Sequence, residues 1–254
     1  MSYQFKDKLA IVTGASKLNG IGFATAYALA EGGADLVITY NTNKTAAQEV
    51  IEKIQRLGAK VIAVHANAGS ITFGEDLVDA TVKAFPGRKI DIIVNNAGHL
   101  TMQEGAEAAV VDEFDSIFHP NVRGPHLLIK AALPYLSAPG ARIVNVGSVV
   151  ARTGTKHATF YSSSKGALNL LNLAWAEELG PRGITVNVVA PGPIDTDYGP
   201  PDDMPLTIKF RAQQYLKRNG SANEAANAIL FAVSPGASFI TGQVLAVDGG
   251  LAYT

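Results

Sequence analysis

Short apolar runs alternate with amphipathic helical stretches along the whole chain, and that rhythm leaves few folds open. Residues 9–13 (Leu-Ala-Ile-Val-Thr) form an apolar run ended by Gly14, the pattern of a strand buried on both faces. Ile21, Ala24, Ala28 and Leu29 then recur at helical spacing before Gly32-Gly33 stops the helix. Further strand-like runs lie at 36–39, 60–64, 91–94, 142–146, 184–189 and 244–247. Helical patterns separate them over 45–57, 73–85, 111–136, 160–179 and 223–233. Strands alternating with helices require right-handed crossovers and hence a parallel sheet. The expectation is an α/β fold with a doubly wound, seven-stranded, mostly parallel sheet and helices on both faces. No linker or repeat divides the series, so residues 1–254 read as one domain. The irregular stretch is 191–205, with Pro191, Pro193, Pro200, Pro201 and Pro205. A loop of that length marks a lid or binding loop, and a flexible substrate loop is expected over about 191–220.

Composition narrows the partners. With 47% apolar and 17% charged residues the chain can build a full core. A net charge of −1 without a run of Lys or Arg gives neither nucleic acid nor an anionic membrane a concentrated basic surface. The absence of cysteine excludes disulfides, thiolate metal sites and a cysteine nucleophile. His65, His99, His119, His126 and His157 show no metal-ligand spacing, so no metal is expected. The polar start, Met1-Ser2-Tyr3-Gln4, lacks a signal-peptide core, and no run of 18 apolar residues follows. A soluble, cytoplasmic protein is expected.

The first strand–helix junction reads Gly14-Ala15-Ser16-Lys17-Leu18-Asn19-Gly20-Ile21-Gly22. Glycines there permit a tight turn and close approach of backbone N–H groups to a pyrophosphate seated on the positive end of the helix. This is the mark of a Rossmann-type dinucleotide site. An NAD site normally carries Asp or Glu at the end of the second strand, to hold the ribose 2′-hydroxyl. Here that place reads Thr39-Tyr40-Asn41-Thr42-Asn43-Lys44, without an acid. Amide, hydroxyl and ammonium groups suit a 2′-phosphate that a carboxylate would repel. Lys17 is a second candidate cation. The charge pattern favours NADP(H) over NAD(H).

Tyr161 and Lys165 stand four apart at the start of a helix, on one face. A neighbouring ammonium stabilises a phenolate and draws the phenol toward the working range of an acid–base group. The spacing alone says little, because chance pairs arise readily in a chain with 8 Tyr. Its surroundings say more. Ser148 ends the fifth strand at the carboxyl edge of the sheet, where open α/β folds bind ligands, and its hydroxyl can donate to a substrate oxygen. Asn95-Asn96-Ala97-Gly98 ends the fourth strand at the same edge, where small and amide-bearing residues suit a cofactor.

Together with Pro191-Gly192 and Asp248-Gly249-Gly250, these motifs resemble those of the short-chain dehydrogenase/reductase family along almost the whole chain. The pocket-forming segments look most like fungal-type polyhydroxynaphthalene and versicolorin reductases. The resemblance implies an NADP(H)-dependent oxidoreductase acting on a small carbonyl or alcohol substrate, assembled as a homodimer or homotetramer. Its leading form is a carbonyl reductase acting on a ketone, quinone-like or acyl substrate; the alternatives are an alcohol or steroid dehydrogenase, or an NADP(H)-binding protein with a non-redox role. It further implies that Tyr161 donates the proton, Ser148 holds the carbonyl oxygen, and Lys165 lowers the Tyr161 pKa and binds the ribose. Asn121 helps place a relay water. Cofactor contacts are implied for Gly14, Ser16, Lys17, Asn19, Gly20, Ile21, Tyr40, Asn41, Thr42, Asn67, Asn95, Ala97, Gly98, Tyr161, Lys165, Pro191, Gly192, Ile194 and Thr196. Two departures stand out. The glycine turn carries two extra residues, so Leu18-Asn19 should bulge outward. Asn121 lies between Pro120 and Pro125, which favour a kink. Tyr198, Met204, Phe210 and Tyr215 are candidates for an apolar substrate wall, and His99 and His157 for its mouth.

Overall fold

Apolar runs of four to seven residues become strands because their faces are covered on both sides by helices. The structure, a computed structural model, describes residues 4–251 apart from 103, 104, 106, 108, 109, 200 and 202. The polar start at Met1-Ser2-Tyr3 and Pro200 of the proline-rich loop lie outside the described residues. Seven strands form one sheet: β1 Leu9–Val12, β2 Asp35–Tyr40, β3 Val61–His65, β4 Ile92–Asn95, β5 Arg142–Val146, β6 Thr185–Pro191 and β9 Val244–Val247. Their order is β3-β2-β1-β4-β5-β6-β9, and every pairing is parallel. Among the described residues the α-helices are α1 Ile21–Glu31, α2 Lys44–Gln55, α3 Phe73–Ala84, α4 Val111–Phe118, α5 Gly124–Ala132, α6 Val150–Thr153, α7 Thr159–Leu179, α8 Pro205–Gln213 and α9 Ala222–Val233. The expected Rossmann-type doubly wound sheet is the one observed.

Alternation along each strand sends neighbours to opposite faces. Ala10, Val12, Leu36 and Ile38 face a core with Leu29, Ile54, Ile229 and Leu230. Leu9, Ile11 and Val37 face a second core with Leu77, Leu128, Trp175 and Leu179. Each fully buried side chain of this size contributes roughly 1.5–3 kcal/mol, so the sheet is held from both sides. Trp175 and Leu179 of α7 are thus core residues, whereas Leu173 is exposed. Among the described residues no helix is long and apolar enough to cross a membrane.

The chain runs outward from β1 in one direction and returns through β4 in the other, which opens a crevice at the carboxyl ends of these strands. The register aligns Val12 with Ile38 and Val94, bringing the residues after β1, β2 and β4 to one edge. The helical stretch expected over 111–136 is interrupted. Between α4 and α5 the five residues His119–Arg123 form a π-helical turn, with prolines at 120 and 125. Within the expected substrate loop lie β7 (Ile194–Asp195), α8 and β8 (Gly220–Ser221), and β7 pairs with β8.

Candidate active site

A cavity of about 860 Å3 opens along the carboxyl edge of the sheet, large enough for a dinucleotide end and a small substrate. The glycine turn forms its floor. Gly14 has φ +65°, a conformation that L side chains rarely adopt, and a Cβ there would sit 2.9 Å from the Ala97 Cα. The turn is pinned from two strands. Gly14 N–H donates to Thr39 Oγ1 (2.9 Å), and the Asn96 amide donates to the Thr13 and Gly14 carbonyls (2.9 and 3.0 Å). Thr13 Oγ1 accepts the N–H groups of Asn96 and Ala97 (3.0 and 2.9 Å). Helix α1 begins at Ile21 behind Gly20, with no side-chain cap and no acid in its first turn, so its positive end is left to an anion.

At the adenosine end, Tyr40, Asn41, Thr42, Asn43 and Asn67 line the cavity. Asn43 is committed to α2, where its Oδ1 caps the Ala46 N–H (2.9 Å). Tyr40 closes β2 with its ring 5.4 Å from that of His65. Lys17 lines the cavity; Lys44, the other candidate cation, does not. The extra residues Leu18 and Asn19 are exposed, as expected of a bulge. Asn19 does not simply project into solvent, however. Its Nδ2 donates to Asp197 Oδ1 (3.2 Å) and its carbonyl accepts the Asp197 N–H (3.1 Å).

At the other end, Ser148, Tyr161 and Lys165 come together. Helix α7 tolerates serines in its opening turns because Ser163 and Ser164 return their hydroxyls to backbone carbonyls one turn earlier. Lys165 is buried, and its Nζ donates to the Val146 carbonyl (2.7 Å) and lies 5.6 Å from the Tyr161 ring centroid. Burial pushes its ammonium down to about 8. Tyr161 packs with Met102 and Met204 against Val149, Val150, Leu206, Phe210 and Leu251. Burial pushes its phenol up to about 12; a hydrogen bond with Ser148 pulls the other way and Tyr198 adds a smaller upward push. Lys165 is not among the causes of this shift, so the expected lowering by its ammonium is not found and desolvation sets the direction.

Gly14, Ser16, Lys17, Asn19, Gly20, Ile21, Tyr40, Asn41, Thr42, Asn67, Ala97, Gly98, Ser148, Tyr161, Lys165, Pro191, Gly192, Ile194 and Thr196 all line this one cavity. Two expected site residues do not. Asn95 is buried and its amide donates to Asn145 Oδ1 (2.9 Å) inside the sheet; its neighbour Asn96 faces the cavity instead. Asn121 is fully buried on the π-helical turn. Its Oδ1 accepts the His99 N–H (2.7 Å), and its Nδ2 donates to the His99 carbonyl (2.9 Å) and to Ser164 Oγ (3.0 Å). The Asn121 side chain thus brackets the loop after β4 against α7 and commits both of its amide N–H donors there. Of the expected substrate-wall residues, Tyr198 and Phe210 line the cavity and Met204 packs beside Tyr161, whereas Tyr215 is exposed outside it. His99 lines the cavity and His157 does not.

These residues fit a nicotinamide dinucleotide. Bare glycine backbone borders the cavity at both ends, and at Gly98 a Cβ would lie 3.0 Å from Asn121 Oδ1 and 3.6 Å from Lys165 Nζ. Comparison with known proteins points the same way. Residues 14–252 match a family model described as enoyl-(acyl carrier protein) reductase. The short-chain dehydrogenase/reductase FrzI of Cladobotryum sp is 41% identical over 96% of both chains. A versicolorin reductase of Emericella nidulans is 32% identical over 98% of this chain and 97% of its own. A short-chain dehydrogenase of Burkholderia cenocepacia, solved in complex with NADP, superposes with a TM-score of 0.90 at 36% identity over 99% of both chains. With its glycine turn, its Ser148, Tyr161 and Lys165 around one cleft, and full-length relatives of this kind, the chain belongs to the short-chain dehydrogenase/reductase family of NAD(P)-dependent oxidoreductases acting on CH–OH and C=O groups.

Proposed function

We propose that the chain is an NADPH-dependent carbonyl reductase, acting on a ketone, a quinone-like carbonyl or an acyl substrate with Tyr161 as proton donor. The observation that carries this reading is the convergence of Ser148, Tyr161 and Lys165 on one cleft, with Lys165 Nζ 5.6 Å from the Tyr161 ring centroid. Burial raises the phenol, so it is protonated at pH 7 and holds the proton that the substrate oxygen needs. Ser148, hydrogen-bonded to Tyr161, orients the carbonyl oxygen. Tyr161 passes its proton to that oxygen as the carbonyl becomes an alcohol. Lys165, at about 8, is still largely charged at neutral pH and stabilises the phenolate left behind. When bound, the dihydronicotinamide supplies the hydride.

The glycine turn, the α1 N-terminus and the Asn96–Gly98 backbone would hold the phosphates and ribose, with Pro191, Gly192, Ile194 and Thr196 beside the nicotinamide. The acid-free end of β2 supports NADPH over NADH, as does NADP in the Burkholderia cenocepacia relative. Val149, Leu206 and Phe210 in the cavity wall favour an apolar substrate. A homodimer or homotetramer would cover the exposed Leu170 and Leu173 of α7 and Val244 and Leu245 of β9. An alcohol or steroid dehydrogenase would use the same residues in reverse, but it would start from a phenolate that burial disfavours. A non-redox role leaves the grouping of Ser148, Tyr161 and Lys165 without a purpose. The test is NADPH and NADH consumption with ketones, quinones and acetoacetyl thioesters. Turnover preferring NADPH supports the reading. Tight NADPH binding without turnover of any carbonyl overturns it.

A further inference from the structure

Three loops meet across the mouth of the cavity at one short turn. Gly199 N–H donates to the Thr196 carbonyl (3.0 Å), which places Asp197 and Tyr198 at the corners of that turn. A Cβ at Gly199 would lie 2.7 Å from the Ile194 carbonyl oxygen, so the turn is tight against β7. Asp197 is held by Asn19 of the lengthened glycine turn, through one backbone and one side-chain hydrogen bond. Tyr198 reaches the loop after β4. Its hydroxyl accepts the Leu100 N–H (2.8 Å) and lies 3.2 Å from His99 Nδ1, while Lys17 Nζ sits 5.7 Å from its ring centroid. His99 is in turn fixed by Asn121, which grips both its N–H and its carbonyl.

Counting donors and acceptors shows what this arrangement leaves over. If Tyr198 gives its proton to His99 Nδ1, the imidazole is protonated at Nε2 and that N–H has no protein partner among the described residues. If instead His99 Nδ1–H donates to Tyr198, the hydroxyl oxygen accepts twice and its own proton is left over. Either tautomer leaves one donor hydrogen on the pair. Both side chains line the same cavity as Ser148 and Tyr161, in company with the apolar Val149, Leu206 and Phe210. Tyr198 is half exposed at the mouth, and a phenol is a neutral donor at pH 7 without any shift.

We propose that His99 and Tyr198 are specificity-determining residues that select carbonyl substrates bearing a second, acceptor oxygen away from the reacting carbonyl. This rests on the reductase reading and names the substrate class for it. An apolar ketone with a hydroxyl, methoxy or further carbonyl group fills the spare donor; the bare ketone leaves it unpaired when water is expelled.

The test compares kcat/KM with NADPH for tetralone and for its ring-hydroxylated and ring-methoxylated derivatives. The wild-type protein is expected to prefer at least one hydroxylated and one methoxylated compound over tetralone by about tenfold. The methoxy compound matters because it accepts a hydrogen bond and cannot donate one. The double variant Tyr198→Phe/His99→Leu, which strips the pair of every side-chain donor, is expected to bring that ratio to within about threefold of unity. Tyr198→Phe/His99→Gln, which restores a donor, is expected to recover most of it. Thermal unfolding and NADPH binding identify any variant that has failed to fold, and Tyr198→Phe/His99→Ala then takes the place of the first. A wild-type ratio near unity for every derivative, a preference that survives loss of both donors, or turnover of other carbonyls but of none of these ketones, overturns the assignment. Turnover of none of these ketones, nor of any other carbonyl, falls on the reductase reading and removes this inference with it.

Discussion

On the proposed reading cofactor choice rests on one missing charge, and Tyr40→Asp would supply it. Tyr40 is the last residue of β2, at the carboxyl edge, and it lines the cavity beside Asn41 and Thr42. A carboxylate there would stand on the order of 5 Å from a 2′-phosphate carrying roughly −1.5 to −2 charge. With an effective dielectric between that of water and half that value, the repulsion is about 1–3 kcal/mol, or roughly 5–150-fold in NADPH affinity. At 5 Å the pair lies inside the Debye length of about 8 Å, so physiological salt removes only part of this. The same carboxylate can accept the ribose 2′-hydroxyl of NADH, a charge-assisted bond worth about 1.5–3 kcal/mol. The ratio of NADPH to NADH affinity should therefore fall by roughly 10²–10⁴. The loss of the Tyr40–His65 ring contact affects both cofactors alike and cancels in the ratio. Titrating each reduced cofactor by its fluorescence, with wild-type protein and variant side by side, gives the ratio without any knowledge of the substrate. A change of less than threefold would refute the electrostatic account of the β2 end.

Other consequences follow from the same geometry. With the Tyr161 phenol held at about 12, alcohol oxidation should rise close to tenfold per pH unit from pH 7 to 10 if chemistry limits the rate, while carbonyl reduction shows no such rise; pH profiles in both directions check this. Lys165 should couple stability to pH in the sense common to every group whose pKa is lowered by folding. Its folded-state value of about 8 lies below the ordinary 10.5 of a lysine, so the unfolded chain keeps the proton longer and stability rises between those two pH values. That contribution is about 3 kcal/mol in all, and the rise should vanish from denaturant titrations of Lys165→Met. In Gly22→Ala the new Cβ would meet Asn96 Nδ2 at 2.5 Å and the Gly14 carbonyl at 2.6 Å. The variant should lose about 1–3 kcal/mol and bind NADPH at least tenfold more weakly, by thermal unfolding and cofactor titration.

Strands β1, β4, β5 and β6 are legible in the sequence because burial on both faces leaves unbroken apolar runs such as Leu9-Ala10-Ile11-Val12. The cofactor edge is legible for the same reason, since the residue following each such run falls at the carboxyl end. What escapes is whatever one residue of rotation decides. Asn95 and Asn96 are neighbours, yet alternation turns the first into the sheet and the second onto the glycine turn. The prolines around Asn121 announce an irregularity, but not that a π-helical turn would bury the side chain completely. Helix α8 hides in a proline-rich segment because only Leu206, Thr207 and Phe210 on it are buried. The pairing of His99 with Tyr198 spans 99 residues and leaves no local signal. The direction of the Tyr161 shift escapes as well. Spacing places Lys165 near the phenol, whereas burial, which only the fold determines, decides the outcome.

The central claim is that Tyr161 hands a proton to a substrate oxygen held by Ser148. Its most direct test is single-turnover reduction of a competent ketone with NADPH already bound, comparing wild-type protein with Tyr161→Phe and Ser148→Ala. The account predicts a fall of about 10²–10⁴-fold for Tyr161→Phe with cofactor still bound, and a smaller loss for Ser148→Ala. A Tyr161→Phe protein that reduces the ketone within tenfold of the wild-type rate would contradict it.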